Sequence, residues 1–66
     1  MAVHKVIEIL AQSTEGWEDA AQKAVDQASK TVKNIESIYI KEFSASVEDN
    51  NIMKYRVNAK ITFKVE

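Results

Sequence analysis

Few side chains in this 66-residue chain have the chemistry to act on anything. There is one arginine, Arg56, one histidine, His4, one tryptophan, Trp17, and no cysteine. A nucleophile needs a base within hydrogen-bond reach and a third group to orient that base. Ser13 has Trp17 as its helical neighbour, not a base, and reads as a helix N-cap. His4 has no partner close by in the sequence. A single glycine excludes the glycine-rich loops that cradle phosphates or dinucleotides. Catalysis is not expected, and binding is what remains.

Cation chemistry has few donors to draw on. Without cysteine there are no thiolate metal sites and no disulfides, and one histidine cannot build an imidazole cluster. Glu48, Asp49 and Asn50 offer hard oxygens together but lack the regular spacing of a calcium loop, so they read as a turn. Arg56 stands on the opposite side of its alternating segment from Tyr55 and Val57, where an ion pair with Glu42 or Glu36 of a neighbouring subunit is expected. Nine Lys and Arg against ten Asp and Glu give a net charge of −1. No basic block or stripe is evident at that balance, which argues against nucleic acid. No apolar run approaches the roughly 20 residues that span a bilayer. Met1 to Lys5 lacks the features of a secretory signal, so a cytoplasmic location is expected.

The elements that must position these groups follow from periodicity. Residues 3–11 are β-branched and apolar, with Ile7 and Ile9 directed at the core and Val6, Glu8 and Leu10 on the other face. Trp17, Ala20, Ala21, Ala24, Val25, Ala28 and Val32 recur at helical spacing, with Asn34 as the terminator. Two alternating segments, 37–47 and 52–65, flank the turn at 48–51. In the first, Ile38 and Ile40 are expected on one face, with Tyr39, Phe43, Ala45 and Val47 on the other. The reading is a single α+β domain over 1–66, ordered β-α-β-β, with a three-stranded antiparallel sheet curled around one helix. A chain this short buries only about 60% of its unfolded surface and is marginal without partners. Apolar residues on both faces of the first two strands point to self-association.

The element order, KVIEI at 5–9, SxxxW at 13–17, AAxxAV at 20–25 and YRVNAKITF at 55–63 together resemble the dodecins. That resemblance implies a hollow, non-enzymatic homododecamer of tetrahedral (23) symmetry that binds or stores a small ligand or cation. Flavin-binding dodecins stack a tryptophan on the flavin and hydrogen-bond it with a glutamine. Those positions fall on Ser37 and Arg56 here, which makes flavin less expected, with Tyr39 as a displaced stacking platform. The same substitutions are similar to a calcium-binding branch. Glu42 matches an acidic position near symmetry axes. Since Ca²⁺ takes roughly six to eight oxygens, one carboxylate suffices only if symmetry gathers several copies. A flavin dodecin with altered stacking, or a purely structural oligomer, are the alternatives.

Overall fold

The computed structural model describes residues 2–65. Its elements are β1 (Val3–Ser13), α1 (Trp17–Ala28), β2 (Ile35–Glu48) and β3 (Asn51–Val65). The sheet order is β1-β3-β2, so β3 is central and antiparallel to both neighbours. That arrangement follows from the chain's local signals. Asp49 and Asn50 take φ of 50° and 65°, the left-handed pair of a two-residue hairpin turn. The hairpin makes β2 and β3 adjacent, and the helical crossover returns β1 to the free side of β3.

Strict alternation on β3 puts Val57, Ala59 and Ile61 under the helix, each fully buried. Ile7 and Ile38 sit opposite Ile61 from either side, as Ile9 and Ile40 sit opposite Ala59. From the helix come Ala20, Ala24 and Ala28, whose small side chains let the sheet approach closely. Four of the six buried hydrophobic residues are alanines, so this core is thin.

The face expected for Phe43 and Ala45 is corrected by a β-bulge. Ile40 pairs with Ala59 but Glu42 pairs with Asn58, leaving Lys41 as an extra residue. One inserted residue reverses the alternation beyond it. Phe43 and Ala45 therefore join Ile38 and Ile40 on the helix side, paired with Val57 and Tyr55, while Tyr39 stays on the opposite face with Lys60. The helix is also shorter than its stripe suggested. It ends at Ala28, where the Ser29 and Val32 amides donate to Val25 and Ala28 carbonyls, and Asn34, with φ of 63°, turns the chain into β2.

The helix start differs too. The N-cap is Gly16 and not Ser13, which is the last residue of β1. Gly16 has φ 155° and ψ 172°, a region essentially closed to side-chain-bearing residues. Ser13 is buried and braces the same corner: its hydroxyl accepts the Glu15 amide at 2.9 Å and donates to the Asp19 carboxylate. Lys23, one turn on, donates to Asp19 at 2.8 Å. Trp17 closes the corner from above. Its indole N–H donates to the Ser44 carbonyl at 2.9 Å, and its ring meets Tyr55 and Phe43 edge-on at centroid distances of 4.8 and 6.0 Å.

Two expectations test this corner. Gly16→Ala should lower stability by about 1–3 kcal/mol in chemical denaturation, through backbone strain alone, because an added Cβ meets open space. A midpoint unchanged from wild type would contradict the assigned conformation. The second concerns pH. The Lys23 hydrogen bond, and after it the Ser13 hydroxyl, hold Asp19 below its usual range, while Asp19 holds Lys23 above its own. The acid's contribution is complete above its unfolded value of about 3.9 and disappears as pH falls through its lower folded value. The lysine's is complete below about 10.4 and disappears as pH rises through its raised value. Thermal midpoints of wild type and Asp19→Asn should thus differ at neutral pH and converge in acid.

Candidate functional site

The face of the sheet turned away from α1 carries every candidate site residue. Pairing lays it out in cross-strand rows: Gln12–Arg56–Ser44, Leu10–Asn58–Glu42, Glu8–Lys60–Tyr39 and Val6–Thr62–Ser37. Arg56 and Glu42 fall in adjacent rows and line one shallow depression of about 410 Å³ with Leu10, Ser44 and Asn58. They do not form an ion pair within the subunit. Arg56 is half-buried, while Glu42 is exposed. Ser37 lies six residues along β3 from the Arg56 row, roughly 20 Å at strand spacing. Sequence reasoning grouped Ser37, Tyr39 and Arg56. In one subunit Ser37 and Arg56 stand apart on a common face, and only contributions from different subunits could bring them together.

Long-range partners that local sequence reading missed also emerge. His4 reaches Glu36 at 2.8 Å across the end of the sheet, and Lys41, the bulged residue, reaches Glu8 at 3.5 Å. Both pairs join the two edge strands over β3. Only the strand order brings them together, and nothing local in the sequence signals it.

Each suggested ligand can be set against this arrangement. Around Glu42, the Asn58 amide and Ser44 hydroxyl add oxygen donors, but Arg56 and Lys60 sit on the diagonals of the same face. Among the described residues, no three His, Asp or Glu side chains gather as a metal site. One subunit does not fit Ca²⁺. Nor does Ser37 fit a flavin ring, since it supplies no aromatic surface. The Tyr39 ring, on the same face and 66% exposed, is the aromatic group available there. No helix is long and apolar enough to cross a membrane among the described residues.

Comparison with known proteins agrees with this topology over the full length. Calcium dodecin from Mycobacterium tuberculosis is 34% identical over 65 residues, covering 98% of this chain and 92% of that protein. Its crystal structure superposes with a TM-score of 0.83 at 33% identity, over 97% of this chain and 91% of the other. The dodecin of Thermus thermophilus is 30% identical over 64 residues, 97% of this chain and 93% of that protein. A crystal structure of an arginine-to-alanine variant of the Thermus protein superposes at 0.95 with 29% identity, covering 100% of this chain and 98% of the other. The family model described as Dodecin matches residues 3–66. With the β-α-β-β order and the helix on one side of a three-stranded antiparallel sheet, the chain belongs to the dodecin family.

Proposed function

We propose that this chain works as a hollow homododecameric shell of tetrahedral symmetry that binds a small ligand or a cation at symmetry-related sites and catalyses no reaction. The observation that carries the reading is the poverty of the single subunit's core. Ile61 and Val57 are its largest fully buried side chains, while Leu10, Tyr39, Val47 and Phe43 are each more than 60% exposed. The surface of 4960 Å² exceeds the roughly 4,250 Å² of a compact monomer of this mass by about 700 Å². Closed point-group symmetry buries such patches without making an endless fibre.

Within that assembly, Arg56, Tyr39 and Ser37 are the groups assigned to a small ligand, contributed by more than one subunit. Arg56 supplies a planar guanidinium suited to carboxylate or phosphate, and Tyr39 an exposed ring. A cation is the second reading. It is supported by the relative named calcium dodecin, and it requires copies of Glu42 to meet on a symmetry axis. A flavin stacked on Tyr39 in place of the family's tryptophan, and an oligomer with a purely structural role, remain the alternatives. The location assigned is the cytoplasm, and neither nucleic acid nor a membrane is assigned as partner.

Native mass spectrometry, metal analysis and an absorbance spectrum on one untagged sample test the reading together. A mass of twelve chains is expected, and a stable monomer would refute it. Phe43→Asp, which places a charge where a 62% exposed ring stood, should dissociate the assembly, and the far-UV circular dichroism should fall with the loss of the twelve-chain mass; a folded single chain would contradict the reading. Calcium that raises the melting point of wild type but not of Glu42→Gln would select the cation reading. Flavin absorbance retained after incubation with excess flavin and desalting would select the flavin one.

A further inference from the structure

Two straps cross β3, and both are built on bulged residues. The β2 register steps from Ile35–Phe63 to Ser37–Thr62 and from Ile40–Ala59 to Glu42–Asn58, so Glu36 and Lys41 have no place opposite β3. A bulge re-aims its extra side chain, and both of these reach past the central strand to β1. Glu36 Oε1 lies 2.8 Å from His4 Nε2, and Lys41 Nζ lies 3.5 Å from Glu8 Oε2. The first strap closes the end of the sheet where the chain enters β2. That end is lightly held. Val3 and Val65 are uncovered, and the Lys64 amide, donating to the Asn34 carbonyl at 3.0 Å, ties down the entry.

The straps differ in what a proton does to them. Ammonium and carboxylate groups ordinarily keep their charges from about pH 5 to about pH 8, whereas imidazole changes its own within that range. His4 is the one histidine of the chain. An ionised carboxylate only accepts, so the Nε2–H donates to Glu36 in either state of the ring. Protonation therefore keeps the geometry and makes the hydrogen bond charge-assisted. The opposing charges are few. Lys64 of β3 stands opposite His4 in register, and Lys33, in the connection from α1, lines the same end of the sheet with Lys64. Lys5 pairs with Phe63 in the helix-facing row, and α1 lies on that other side as well. Lys33 and Lys64 are in no ion pair among the described residues, and their flexible stems let the ammonium groups turn to water. Glu36 is in direct contact, so its attraction outweighs a repulsion weakened by distance and salt.

We propose that His4 and Glu36 form a proton-operated clasp on this end of the sheet. In mildly acidic solution, with carboxylate and imidazolium both charged, the clasp holds the start of β2 to β1. As pH rises through the imidazole range the positive charge is lost and the hold weakens. The Lys41–Glu8 strap keeps the middle of the sheet at either pH. Because Glu36 immediately precedes Ser37, the clasp sets how firmly the first residues of β2 are kept in place. The device lies within one subunit and depends neither on the number of subunits nor on a ligand.

A double-mutant cycle read at about pH 6 and about pH 8 tests it. Thermal midpoints of wild type, His4→Gln, Glu36→Gln and the double variant are compared at one protein concentration, because association contributes to the midpoint. In acid, each single substitution should lower the midpoint by about 1–4 °C, the range for a half-exposed ion pair in so short a chain. The double variant should fall no further than either. At the higher pH the coupling should shrink to less than about half its acid value. The control is the same cycle on Glu8→Gln and Lys41→Gln, whose coupling should be equal at both. A His4–Glu36 coupling that is absent in acid, or undiminished at the higher pH, would overturn the proposal. Should the variants fail to fold, hydrogen exchange of wild type decides. Corrected for intrinsic rates, protection of the Lys64 amide should fall between the two pH values. That of the Ala20 amide, bonded to the Gly16 carbonyl at 3.0 Å, should stay constant. Equal behaviour of both amides would overturn the proposal.

Discussion

A helix of about 18 Å lies on strands that reach about 50 Å, and that mismatch governs the molecule. Twelve helical residues cannot cover a fifteen-residue strand and its two neighbours. The subunit is accordingly drawn out to 52 × 19 × 13 Å, with a radius of gyration of 13.5 Å where a compact chain of this length would have about 11 Å. Where the helix does lie, alanines bring it close and isoleucines fill the gap. Beyond it, Val47, Ile52 and Met53 near the hairpin and Val3 and Val65 at the other end are left uncovered.

The same mismatch explains why the helix start is so heavily braced. A short helix contributes little packing, so its position on the sheet depends on contacts at its ends. Gly16 supplies a backbone conformation that lets the chain leave β1 sharply. Ser13, Asp19 and Lys23 tie the strand end to the first turn, and Trp17 reaches β2 through its hydrogen bond to Ser44 and its contact with Phe43, and β3 through its contact with Tyr55. Displacing this corner would uncover the small core that exists.

Much of this architecture was legible from residue types. The period-2 run of β3, the alanine-valine stripe of α1 and the Asp49-Asn50 turn each state their conformation locally, and the motifs at 5–9, 13–17, 20–25 and 55–63 marked the family. What stayed hidden depended on registration between strands. Lys41 looks like any strand residue, yet as a bulge it returns Phe43 to the core side and lets its own side chain meet Glu8. Ser13 was read as a cap because its type suits one, whereas Gly16 takes that place and Ser13 supports Asp19. The candidate site was legible only in part. Arg56 and Glu42 do share a depression, but Ser37 lies six residues along β3 from the Arg56 row, which no local pattern encodes.

Everything rests on the claim that one subunit cannot be stable while so much apolar surface meets water. Denaturant unfolding followed across a wide range of protein concentration tests this most directly, because folding linked to association depends on mass action. The midpoint should climb steadily as concentration rises, with folded structure lost on sufficient dilution. A midpoint independent of concentration, from a folded species sedimenting as a single chain, would contradict the account.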